Sequence, residues 1–147
     1  MKSVTIDQVM SWNPCNPPYT REYVTKLFGR RKTLTALQIL DLKIPVGDRL
    51  WAVLRPELID DRTLRLFACD CAERALKRDR KIGREPDKRL WDAIKVARKF
   101  AYGKATKEKL AAARAAGVAW AAGAAWAAAR DAERKWQLQH LRKMLEK

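Results

Sequence analysis

Ala115 to Ala129 reads AAGVAWAAGAAWAAA, fifteen residues without a charge between Arg114 and Arg130. Alanine is the strongest helix former, and the flanking residues continue in Ala, Lys, Arg, Glu and Leu. One long helix is therefore predicted from about Thr106 to Met144. A helix that is apolar around its circumference has to be buried, which makes it the spine on which the other helices pack. Gly117, Gly123 and the alanines keep that spine thin, while Trp120 and Trp126 add bulk at two points. At 1.5 Å per residue the stretch covers about 22 Å, short of the roughly 30 Å hydrocarbon core of a bilayer, and Ala and Gly are only weakly hydrophobic. No membrane span is expected. Met1 to Met10 has no apolar signal-like core, so a cytoplasmic chain is expected.

Elsewhere the helix signals are short and local. Thr5 and Gln8 form a capping box that opens a helix ending in the Asn13–Pro18 loop, and Thr20 caps a second helix with Tyr23, Val24, Leu27 and Phe28 on one face and Gly29 as its stop. Thr35 and Gln38 repeat the capping box before Leu37, Leu40 and Leu42. A fourth helix, from about Pro45 to Leu54, is expected to bury Leu50, Trp51 and Leu54. Asp60 can cap a fifth, whose Leu64, Phe67, Ala68, Cys71 and Ala75 recur at the spacing of one buried stripe. Its polar side offers Asp70 to Arg74 and Glu73 to Lys77 at i,i+4. Pro86 and Asp87 start a sixth helix to Tyr102, with Leu90, Ile94, Ala97 and Ala101 inside and Gly103 as the stop. No alternating run is long enough to predict a strand, and no fixed-period repeat is convincing.

The fold class is thus all-α: a compact bundle of about six or seven helices around a long Ala/Trp-rich C-terminal helix. Residues 1–147 read as one domain, with a short-helix lobe over 1–60 and the longer helices, including the spine, over 61–147.

Charge is the strongest compositional signal. The net charge is +15, divided as nine basic against six acidic residues over 1–60 and 23 against 11 over 61–147. Arg74 to Lys109 alone holds fourteen basic and five acidic residues. Such a field favours an acidic partner, either an acidic protein surface or nucleic acid; a solvated, solubilising surface is the plainer alternative. The candidate partner-binding residues are Lys77, Arg78, Arg80, Lys81 and Arg84 in the loop into which the fifth helix fades, and Lys88, Arg89, Lys95, Arg98 and Lys99 on the sixth helix. Each can neutralise a phosphate or a carboxylate. Aromatic rings able to stack on a base are scarce there: Trp91 belongs at the core edge, and Tyr102 is the other.

Signals for catalysis and metal binding are weak. Cys69 and Cys71 lie two apart on a helix and point about 200° away from each other, so with Cys15 and His140 they do not make a zinc site. Three cysteines suit a reducing compartment as small buried or half-buried thiols. His140 is the sole histidine and reads as solvent-facing. No phosphate-cradling glycine loop, HExxH or GxSxG is present, so no metal, no cofactor and no enzymatic activity are expected. Trp12, Trp51 and Trp136 are expected in the core, with Trp136, beside Arg134 and Lys135, open to an alternative as an interface anchor.

The stretches TIDQVMSWNPC, LTALQILDLKIPVGDRLWAVLRPELI, FACDCAERAL and PDKRLWDAIKVARKFAYGKAT, running into the Ala/Trp-rich helix, resemble the immunity proteins of bacterial polymorphic toxin systems and related phage and prophage proteins. The resemblance covers nearly the whole chain. It implies an all-α fold and a non-enzymatic role, binding and neutralising a toxin or another effector such as a host defence complex, a CRISPR effector included. Because like potentials repel, a +15 inhibitor implies a target that is acidic, or one met through bound nucleic acid. A nucleic-acid-binding module using the same basic residues is the alternative function. Oligomeric state is not legible in the sequence.

Overall fold

The structure, a computed structural model, describes residues 1–113 and 130–147. It is helical apart from one small sheet: β1 (Ser3–Thr5), α1 (Ile6–Ser11), α2 (Arg21–Phe28), β2 (Thr33–Thr35), α3 (Ala36–Leu40), α4 (Val46–Val53), α5 (Asp61–Lys81) and α6 (Lys88–Ala101), then helical residues 107–113 (α7) and α8 (Arg130–Glu146). The all-α class is as expected. The predicted spine is helical over 107–113 and 130–146; its centre, with Trp120 and Trp126, lies outside the described residues. The chain divides into two units, 1–60 with 138–147, and 61–137.

In the first unit, local capping starts the helices. Thr5 Oγ1 accepts from Gln8 N at 3.2 Å while Thr5 N donates to Gln8 Oε1 at 2.8 Å, and Thr35 and Gln38 do the same at 3.3 and 2.9 Å. Thr20 caps α2, and Gly29 ends it at φ +62, a conformation that favours glycine. The two strands are a departure from expectation. Each is the extended lead-in to a capping threonine, whose own backbone is extended (ψ 167 at both Thr5 and Thr35), and three residues are too few for alternation to register in the sequence.

Their pairing exposes a repeat that sequence inspection missed. Ser3-Val4-Thr5-x-x-Gln8 and Thr33-Leu34-Thr35-x-x-Gln38 are equivalent, and the strands pair antiparallel with Ser3 opposite Thr35, Val4 opposite Leu34 and Thr5 opposite Thr33. The pairing therefore has a local two-fold centred on the equivalent middle positions, Val4 and Leu34, each no more than 1% exposed, while the first position of each copy faces the third of the other. Val24, Phe28, Ile39, Leu40, Leu50, Val53 and, from the C-terminal segment, Leu141 are buried in the same unit. Two expectations fail on α4: Trp51 is 43% and Leu54 37% exposed. The helix buries Leu50 and Val53, and Trp51, one residue past Leu50, is turned roughly 100° away from that line.

In the second unit α5 packs on α6. The buried line on α5 is Cys69, Ala72 and Leu76 against Leu90, Ile94 and Ala97, so the predicted stripe is displaced by about one position; Phe67 is buried, Ala68 is exposed and Cys71 is half-buried. The physical reason is that Ala68 and Ala75 offer little area, and the helix turns to bury Leu76 instead. Pro86 precedes α6 rather than starting it: Asp87 is the N-cap, accepting from Arg89 N at 2.9 Å. Gly103, at φ +72, follows its end. Cys15, expected at least half-buried, is exposed.

A basic hairpin as candidate functional site

The site-forming stretch is the α5–α6 hairpin. Cys69, Ala72 and Leu76 face α6, so Arg74, Arg78 and Lys81 lie on the opposite side of α5, with Asp70, Glu73 and Lys77 on the flank between. That side borders a groove of about 420 Å3 lined by Asp70, Glu73, Arg74, Lys77, Arg78, Lys81 and, from α8, Trp136. Along α6, Lys88, Lys95 and Lys99 recur at i, i+7 and i+11 on the face turned away from Leu90 and Ile94. The ten candidate residues therefore occupy different surfaces of the hairpin instead of one continuous face.

Five of the ten are engaged by carboxylates. Arg98 Nη2 lies 2.7 Å from Asp70 and 2.9 Å from Glu73, fastening α6 to α5. The hydrogen bond to Glu73 and then that to Asp70 hold the Arg98 guanidinium's pKa above its ordinary value, and Arg98 in turn holds Glu73 below the usual carboxylate range. Lys77 meets Glu73 at 4.0 Å, as the i,i+4 spacing predicts. Asp70 and Arg74, expected to pair with each other, each meet a more distant partner: Asp70 takes Arg98 from the facing helix, and Arg74 lies 3.0 Å from Glu133. Arg78 shares Glu133 at 2.5 Å. Arg80 forms a two-pronged pair with Glu85 at 3.0 and 3.0 Å and stacks 4.3 Å over Trp91, closing the turn between the helices. Arg89 pairs with its own cap, Asp87, whose carboxyl is drawn down to about 2 by that side chain and by the Arg89 backbone N–H.

The other five, Lys81, Arg84, Lys88, Lys95 and Lys99, are exposed and have no ion pair among the described residues. Of these only Arg84 lies in the turn: Lys81 ends α5, which continues as helix through the basic stretch expected as loop, and Lys88 opens α6, along which Lys95 and Lys99 continue the file. Arrayed ammonium and guanidinium groups of this kind attract anions. Cys71, half-buried on α5, is pushed up to about 12 by burial and then by Glu133, which leaves it protonated at neutral pH. Among the described residues no three His, Cys, Asp or Glu side chains gather as a metal site, and no helix is long and apolar enough to cross a membrane.

Sequence reasoning overlooked Glu133 and Arg74 as organisers of the groove. Trp136 is half-buried, with the Arg74 guanidinium 4.4 Å from its ring. The basic residues around Trp136 were the available signal; its carboxylate neighbour three positions earlier was not weighed. No family model matches the chain, and searches of curated proteins and of solved structures likewise found no match.

Proposed function

We propose that this chain is a small non-enzymatic binding protein, an immunity-type or phage-encoded inhibitor that neutralises a toxin or host defence effector, a CRISPR effector among them, by steric occlusion. The observation that carries the proposal is the division of labour among the hairpin cations. Internal carboxylates hold Lys77, Arg78, Arg80, Arg89 and Arg98 in fixed geometry. Lys81, Arg84, Lys88, Lys95 and Lys99 remain exposed without ion pairs among the described residues. A rigid scaffold presenting unpaired cations steers an acidic protein surface into register. The resemblance of the sequence to immunity proteins supports the same reading, and a cytoplasmic setting suits it.

The test sets the wild-type chain against a variant carrying Lys81→Glu, Arg84→Glu, Lys88→Glu, Lys95→Glu and Lys99→Glu. Pull-down from nuclease-treated host lysate should yield a stoichiometric protein partner that the variant loses, with association slowed at least about tenfold. Fluorescence anisotropy with single- and double-stranded oligonucleotides should give no binding at low salt. Salt-dependent oligonucleotide binding that disappears in the variant would replace this reading with a nucleic-acid-binding module.

A further inference from the structure

Among the described residues three arginines stack on tryptophans, and two of them have a carboxylate as well. Arg80 lies 4.3 Å over Trp91 and holds Glu85; Arg74 lies 4.4 Å over Trp136 and holds Glu133. The third is Arg55 in the first unit. Its guanidinium sits in the corner between two indoles, 4.2 Å from the Trp12 ring centroid and 4.3 Å from that of Trp51, which meet edge-on at 75°. It has no ion pair among the described residues, and its Nε is buried without a hydrogen-bond partner.

We propose that the Trp12–Arg55–Trp51 corner is a preformed receptor for an aspartate or glutamate side chain on a protein partner, distinct from the basic hairpin. Ring contacts fix the guanidinium in advance, so little side-chain freedom is left to lose when a carboxylate arrives, and with Nε buried it is the two terminal Nη groups that suit two parallel charge-assisted bonds. Trp51 and Leu54, 43% and 37% exposed, supply the apolar surface that a residue beside the acid would cover. Tryptophan and arginine, together with an exposed apolar border that a partner would desolvate, are the composition of an interface hot spot. A nucleic-acid backbone is the poorer occupant. Residues 1–60 carry a net charge of only +3, and Lys2, beside Arg55 through its 2.9 Å bond to the Pro56 carbonyl, does not extend into a run of cations.

The experiment uses the full chain, immobilised, and a displayed library of random peptides. Recovered peptides should carry an acid next to apolar residues, and exchanging that acid for its amide should weaken binding at least about tenfold. Arg55→Lys, which keeps the charge and removes the planar fork, should weaken it comparably, as should Trp51→Ala. Trp51→Phe retains a ring and guards against loss of fold, checked by circular dichroism. The five-charge hairpin variant should still bind, which separates this surface from the one proposed above. An unenriched selection, peptides without acids, undiminished binding to Arg55→Lys, or loss in the hairpin variant instead would each overturn the assignment. So would an oligonucleotide that binds the chain and is released by Arg55→Lys.

Discussion

Residues 1–60 with 138–147 bury twelve apolar side chains, whereas the described part of 61–137 buries seven and fastens its helices with arginine–carboxylate pairs. In the first unit the ion pairs are peripheral: Arg21 with Asp7 at 2.7 Å, both well exposed, and Arg142 with Asp41 at 2.6 Å. In the second, Arg98 reaches across to Asp70 and Glu73, and Arg74 and Arg78 converge on Glu133. The α5–α6 interface is built partly of Cys69, Ala72 and Ala97, residues that allow close approach but bury little area and permit sliding. Directional bonds then set the register. The arginines that do this are removed from the pool able to meet a partner, which is why net charge alone overstates the available basic surface.

The contrast can be broken most forcefully in the first unit. Leu34→Ala, at the local two-fold, should cost about 2–5 kcal/mol in urea unfolding, with little dependence on salt. A smaller loss that varied with ionic strength would mean that burial is not what holds this unit.

Arg98→Met should cost about 1–2 kcal/mol, an effect that added salt diminishes, and should reduce amide-exchange protection over residues 69–98. Acid should act on the same bonds. Glu73 titrates below its ordinary 4.5 in the folded chain, so its contribution is fully present above that value and is lost as the pH falls from there through the depressed folded value. Hydrogen exchange should follow this loss in 61–101 and find the Leu34 region less affected; equal acid sensitivity in both would erase the distinction. The smallest effects belong to the caps. Thr35→Ala and Thr5→Ala should each cost about 1 kcal/mol, and similar values at the two sites would sharpen the case for the repeat.

What the sequence determined by itself is several helix beginnings and ends, though not the end of α5, which runs on to Lys81 through a stretch that reads as loop. Thr5, Thr20 and Thr35 cap as their spacing to the next residues requires, and Gly29 and Gly103 stand at positive φ at helix ends. Leu90, Ile94 and Ala101 are buried on α6 in the predicted phase. These are decisions taken within one turn of chain, where a cap reaches three residues and an apolar stripe follows the helical period. Tertiary structure decided the rest. Which acids Arg74 and Arg98 meet depends on groups 25, 28 or 59 residues away, and long flexible cations near several carboxylates are sorted only once packing fixes which helix faces which. The pairing of Ser3 with Thr35 and the outward turn of Trp51 have the same origin. Local bonding preferences name the ends of an element, but the side that is covered, and so the residues left for a partner, follows from the neighbours that the whole chain supplies.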